Sequence, residues 1–231
     1  MWSGPRNIST AFLRSFSNRD DTIVYDEPFY SYYLKETGLN HPMRDRIINF
    51  YPTKEKEVIE TILRDKKGIY YQKHMTHHIL NKTNIEWLEK GTNCFLIRHP
   101  SRVINSYIKK NKLYSITDIG FDQMFRIFNY VKKNISKNIV IVNADILLEN
   151  PEIYIKRLCM NLNICFSKKM LKWPKGITKD FGIWYSHWYH DIINSTEFSQ
   201  TTNTIMNVPN EYQKIYEESL SIYEHMNKLS I

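Results

Sequence analysis

Short apolar runs without helical periodicity alternate along this chain with stretches whose hydrophobic positions recur every three to four residues. The flat runs fall at 22–25, 68–72, 93–97 and 138–143 and are rich in Ile, Val and Tyr. That pattern predicts strands buried on both faces. Met1 and Trp2 read as the stub of one more strand. Helices are expected over 10–18, 53–65, 100–110, 121–133, 151–161 and 209–228. Val58, Ile59, Ile62 and Leu63 form the apolar stripe of the second, and Tyr212, Ile215, Tyr216, Leu220 and Tyr223 that of the last. Pro151 suits the first turn of its helix, where a missing N–H costs nothing. Strand–helix alternation predicts an α/β fold, a three-layer α/β/α sandwich around a mainly parallel sheet. There is no internal repeat or linker composition, so 1–231 is expected to be a single domain.

Composition narrows the class. Lys and Arg number 32 against 24 Asp and Glu, a formal net charge of +8. A basic balance attracts anions. The charge is spread along the chain, which favours a small anionic ligand over a polybasic tail. No nucleic-acid motif with basic and aromatic residues interleaved is present, so no nucleic-acid partner is expected. The three cysteines, Cys94, Cys159 and Cys165, are an odd number without a pairing motif, and a reducing compartment is expected. No apolar stretch approaches the ~20 residues of a membrane span. No leader precedes the first turn, so the expected location is cytoplasmic.

The first turn carries chemistry. Ser3-Gly4-Pro5-Arg6-Asn7-Ile8-Ser9-Thr10 joins the strand stub to the first helix. Backbone N–H groups at a helix start, aided by the macrodipole, bind anions. Ser9 and Thr10 add hydroxyls, and Arg6 adds a planar fork that matches a phosphate or sulfate edge. A Walker loop needs Gly and Lys where this chain has Ser9 and Thr10, and no acidic magnesium site is evident. An ordinary βα turn capped by Ser9 would use the same residues. The second signal runs from Phe95 to Tyr107. A buried strand ends at Arg98, Pro100 follows, and Ser106 lies two turns into the next helix. The carboxyl end of a strand is where open α/β sheets bind ligands. Arg98 and Ser106 can grip a second phosphate there, or Arg98 can pair with a carboxylate.

Taken together, these two elements resemble the P-loop sulfotransferase superfamily. The opening W-S-G-P-R-N-x-S-T, then D-E-P-x-Y and K-H-M, is most similar to a bacterial-type branch of it, and the likeness extends to the Trp/Tyr-rich segment from Trp184 to Trp188. The resemblance implies a P-loop nucleoside triphosphate hydrolase-like fold and 3′-phosphoadenylyl sulfate (PAPS) as donor. Adenosine 3′,5′-bisphosphate would be the product, with no metal and a small-molecule acceptor. Gly4, Pro5, Arg6, Asn7, Ile8, Ser9 and Thr10 would hold the 5′-phosphosulfate, and Arg98 and Ser106 the 3′-phosphate. Lys175 and Gly176 match a Lys-Gly pair that contacts the 3′-phosphate in related enzymes, though a plain turn explains them better. Ile8 departs from the family, which usually has Gly there, and Arg6 stands where Lys is frequent.

Sulfuryl transfer needs in-line geometry, charge stabilisation on the leaving oxygen and a base for the acceptor hydroxyl. Arg6 is expected to serve the leaving phosphate. Glu27, at the end of the second strand, is the favoured base, and His74, read as following the third strand, is the other candidate or an orienting partner. A helix N-terminal carboxylate and a buried, satisfied histidine are their respective structural uses. His74, His77, His78, His187 and His190 lack metal-ligand spacing. Trp184, Tyr185, Trp188 and Tyr189 would either pack the core or line a ligand pocket. A P-loop kinase, or a non-catalytic nucleotide binder of the same fold, uses the same first turn; the kinase would also need magnesium and the Walker lysine.

Overall fold

The computed structural model describes residues 1–199 and 205–231. Five strands, β1 (Trp2–Ser3), β2 (Thr22–Asp26), β3 (Ile69–Met75), β4 (Cys94–Ile97) and β5 (Val140–Asn143), form one sheet in the order β2-β3-β1-β4-β5. Every pairing is parallel. The expected α/β class holds. The helices among the described residues are α1 (Ser9–Ser17), α2 (Tyr30–Thr37), α3 (Arg44–Phe50), α4 (Glu55–Ile62), α5 (Pro100–Tyr107), α6 (Phe121–Asn134), α7 (Ala144–Glu149), α8 (Pro151–Asn161), α9 (Tyr185–Trp188), α10 (His190–Ile193) and α11 (Gln213–Asn227).

The strands are buried on both faces because they carry apolar side chains at consecutive positions. Cys94 and Leu96 of β4 join the core cluster under α1, α7 and α8, while Phe95 and Ile97 join the cluster under α5, α6 and α11. Such alternation follows from the two-residue period of a strand. Three-layer packing therefore comes directly from the flat apolar runs.

One expectation changes. The third strand does not stop at residue 72; β3 runs to Met75, because Trp2 and Ser3 pair with His74 and Met75. Lys73 and His74 are both strand residues and so point to opposite faces. The polar letters Gln-Lys-His suggest a strand end, but pairing with two neighbours overrides that local signal. Short helices α2, α3, α7, α9 and α10 also lie outside the sequence expectation.

Two glycines seat the first turn against the loop before α6. A methyl on Gly4 would stand 2.4 Å from the Ile119 carbonyl oxygen, and one on Gly120 (φ 72°) would stand 2.5 Å from Thr76 Oγ1. Only glycine permits that approach. No helix among the described residues is long and apolar enough to cross a membrane.

Candidate active site

β1, β2 and β3 deliver their carboxyl ends to one cavity of about 500 Å³. At one end sits the first turn. Arg6 and Ile8 both take left-handed φ values, 64° and 57°. Such a conformation is rare for a non-glycine residue and rarer for a β-branched one. Left-handed residues within a turn are the backbone geometry from which anion-binding concavities are made. The residue before α1, Ile8, supplies no side-chain cap. The alternative reading of a turn capped by Ser9 does not hold, and the first N–H groups of α1 keep their capacity for an outside acceptor. Pro5, Arg6, Ser9 and Thr10 line the cavity. Asn7 does not: it is fully buried, and its Nδ2 donates to the Leu96 carbonyl at 3.2 Å, pinning the turn to β4.

The Arg6 guanidinium donates from Nε to Ser106 Oγ at 2.8 Å and forms no ion pair with a described carboxylate. Burial lowers its pKa, Arg98 adds to that, and Asp191 opposes it. A guanidinium stays charged in proteins, so this partly buried cation is electrostatically incomplete. Arg98 faces the same turn. Its Nη1 donates to the Arg6 carbonyl at 3.0 Å, while its Nε meets Asp145 Oδ1 at 3.2 Å. Arg98 thus pairs with a carboxylate, one of its two sequence readings, and it also abuts the first turn. Asp145 is shared with Arg102 at 3.5 Å.

Opposite the first turn stands an ionic cluster that sequence reasoning found only in part. Lys73 is 1% exposed, and its Nζ uses all three donors: Asp26 Oδ1 at 3.0 Å, Glu27 Oε1 at 2.5 Å and the Tyr189 hydroxyl at 2.7 Å. Tyr189 lies 2.8 Å from Asp26 Oδ2 and 3.1 Å from Glu27 Oε1, and receives Trp184 Nε1 at 3.1 Å. Asp26 Oδ2 also accepts from the Gly182 N–H at 3.1 Å. Burial alone would lower the Lys73 pKa, but Asp26 and Glu27 together hold it above its ordinary value. Burial raises the Glu27 pKa and Asp26 adds to that, with Lys73 pulling the other way. One ammonium beside two carboxylates cannot fully stabilise both charges. Glu27 itself has φ 42°, a strained backbone that turns its side chain off the end of β2 into the cavity.

His74 does not reach this site. Its ring stacks on Trp2 at 4.4 Å, its Nε2 meets Gln72 Oε1 at 3.0 Å, and it borders a separate cavity at the amino end of the sheet. Burial drives its pKa well below the usual value. Strand alternation puts Lys73 in the cavity and His74 behind it. His74→Phe, which keeps the stack, is expected to leave turnover within about twofold of the parent; a loss above tenfold in steady-state assays would return His74 to the chemistry.

Lys175 and Gly176 are likewise away from the lining. Gly176 has φ 113° and gives its N–H to the Ile193 carbonyl at 2.8 Å, so the pair forms a turn; Arg98 and Ser106 also lie outside the lining. The aromatic segment divides: Trp184 is core, whereas Trp188 and Tyr189 line the cavity. Tyr30, Tyr33, His41, His77 and His78 complete the far wall. Lys73 was masked by its polar neighbours Gln72 and His74; Tyr189 was legible as an aromatic near a pocket, but not as a partner of Lys73 and Asp26, which lie more than 110 residues away.

Residues 1–229 match the family described as "Sulfotransferase domain". Two Arabidopsis thaliana proteins, named branched-chain-amino-acid aminotransferase-like protein 1 and 2, are each 30% identical over 224 residues, 96% of this chain and 40% of theirs. The chain thus spans about 40% of the length of these curated relatives. Among solved structures, the sulfotransferase domain from the Curacin biosynthetic pathway superposes with TM-score 0.55 at 14% identity, covering 94% of this chain and 95% of that one. The sulfotransferase domain from the Synechococcus PCC 7002 olefin synthase gives 0.60 at 13%, covering 98% and 92%. At such identities the likeness concerns the fold.

Proposed function

The chain belongs to the sulfotransferase domain family, and from that premise we propose that it moves a sulfuryl group from PAPS to a hydroxyl of a small acceptor. The observation that carries the reading is the join between two anion-binding elements. Arg98 hydrogen-bonds the Arg6 carbonyl at 3.0 Å, and Arg6 hydrogen-bonds Ser106 at 2.8 Å. A single adenosine carrying phosphates at both ends matches adjacent cationic sites better than a triphosphate does.

In this reading Ser9, Thr10 and the N–H groups opening α1 cradle the 5′-phosphosulfate. Arg6 neutralises the charge that grows on the departing phosphate, an interaction worth most where it strengthens in the transition state. Glu27 removes the acceptor proton, and Lys73, with Tyr189, orients the Glu27 carboxylate. Arg98 and Ser106 anchor the 3′-phosphate away from the reacting sulfur. The unpaired thiols of Cys94, Cys159 and Cys165 suit a reducing, cytoplasmic setting. The aminotransferase-like name of the Arabidopsis proteins carries no chemistry to this chain, which covers the smaller part of them.

Calorimetric titration with adenosine 3′,5′-bisphosphate against ATP tests the assignment. The bisphosphate is expected to bind without magnesium and more tightly than ATP. Arg98→Ala is expected to weaken it about tenfold or more, ~1.4 kcal/mol. Asp145 keeps Arg102 at 3.5 Å in that variant, so the surrounding fold survives. Unchanged affinity would remove Arg98 from the 3′-phosphate site, and a preference for magnesium-ATP would favour a kinase.

A further inference from the structure

Behind the first turn lies a chain of polar groups that ends on Arg98. It starts on α11, where Tyr223 Oη and Asn227 Oδ1 accept from Asn143 Nδ2 at 2.8 and 2.7 Å. Asn143 is the last residue of β5, and its Oδ1 accepts the Asp145 N–H at 2.9 Å. Asp145 is buried and divides its carboxylate between two tasks. Its Oδ2 accepts the His99 N–H at 2.9 Å, while Oδ1 faces Arg98 Nε at 3.2 Å and Arg102 Nε at 3.5 Å. Arg98 Nη1 in turn donates to the Arg6 carbonyl at 3.0 Å.

Charge neutralisation alone would not need this much order. An arginine side chain is long and flexible, and ordering it only when a ligand arrives weakens binding. Here Nε and Nη1 of Arg98 are both held beforehand, and Nη2 has no hydrogen-bond partner among the described residues. A phosphate can approach the Nη2 end of the fork while Asp145 keeps the Nε side. Asp145 also holds Arg98 and Arg102 close together, where their like charges would otherwise push them apart. Asn143 and the His99 N–H fix the carboxylate in turn.

We propose that Asp145 is a positioning residue for the nucleotide: through Arg98 it sets the preference for an adenosine that carries a 3′-phosphate. The inference rests on the reading of Arg98 and Ser106 as the 3′-phosphate site. Asp145 touches neither the ligand nor the reacting sulfur and acts only through the Arg98 guanidinium. Without the carboxylate the fork is free to leave the first turn, and the 3′-phosphate meets a mobile cation. The 5′ end of the nucleotide, held by the first turn, does not depend on Asp145.

Calorimetry of adenosine 3′,5′-bisphosphate and of adenosine 5′-phosphate on the full chain reads this preference as a ratio of dissociation constants. Asp145→Asn keeps the shape and an acceptor for the His99 N–H. It is expected to weaken the bisphosphate about tenfold and adenosine 5′-phosphate by less than about twofold. In an Arg98→Ala background the same substitution should change neither ligand by more than about twofold, because the group it acts through is gone. Asp145→Glu, which moves the charge by one methylene, should also lower the preference, and it serves if the Asn variant does not fold. An unchanged or raised preference, equal weakening of both ligands, or an undiminished effect in the Arg98→Ala background would overturn the inference, the last two by showing a merely structural role. A parent chain that does not prefer the bisphosphate, or an Arg98→Ala chain that keeps the preference, would instead overturn the reading on which it rests.

Discussion

Glu27→Gln is expected to lower kcat by about 10²–10⁴-fold, the usual contribution of a positioned general base. The substitution keeps the shape and one hydrogen-bond acceptor, so Lys73 still finds a partner at that position. Affinity for adenosine 3′,5′-bisphosphate should therefore hardly change. The carboxylate works as a base only when ionised, and burial raises its pKa above the ordinary value of 4.5. The parent enzyme should accordingly lose kcat as pH falls through that raised pKa, at a pH higher than an exposed glutamate would give. The Gln variant should lack this acid limb. Single-turnover rates across pH, beside calorimetry of the nucleotide, separate the outcomes. A Gln variant that turns over at the parental rate would move the base elsewhere in the cavity, where His41, His77 and His78 also line the wall.

Lys73→Met is expected to destabilise the fold by about 3–5 kcal/mol, the cost of removing one partner from a buried ion pair. The number is large because the loss strands two carboxylates. Asp26 and Glu27 would share an interior site with no cation, and the Tyr189 hydroxyl can donate to only one of them. The pH dependence carries a definite sign. In the parent, Glu27 has a raised folded-state pKa, so its contribution to stability declines as pH rises from the ordinary carboxylate range through the raised value. Lys73 also has a raised folded-state pKa; its contribution is complete below the ordinary value of 10.5 and fades only above it. Without the ammonium, the carboxylates resist ionisation more strongly. The deficit of the variant should therefore shrink as pH falls and they protonate. Urea unfolding at neutral and mildly acidic pH reads this directly. A deficit below about 1 kcal/mol, or one indifferent to pH, would mean that the cluster does not act as a buried ionic unit.

Both predictions concern residues that sequence reading reached unequally. Glu27 was legible because it follows an apolar run and precedes Pro28, which marks the carboxyl end of a strand in a parallel sheet. Arg98 was legible for the same reason, and Ser106 followed from helical spacing after Pro100. Lys73 was obscured because the residues from Gln72 to His74 look like the polar end of a strand. The choice between Lys73 and His74 as the cavity residue depends on a single step of alternation, and a one-residue change in strand phase exchanges the two faces.

Local pattern was sufficient for the parallel sheet, for the turn before the first helix and for the order of the elements along the chain. Those depend on short-range periodicity and on turn chemistry, which neighbouring residues carry themselves. Three things waited on the folded chain. β1 pairing with β3 set where the third strand ends and so which side chain faces the cavity. Tyr189, brought from α9's far end to Asp26 and Glu27, completed the ionic cluster across 163 and 162 residues. Arg6 and Ile8 took left-handed backbone angles that residues of their type rarely adopt. Each is a contact between distant segments or a conformation that packing imposes against local preference, and neither leaves a periodic trace in the order of the residues.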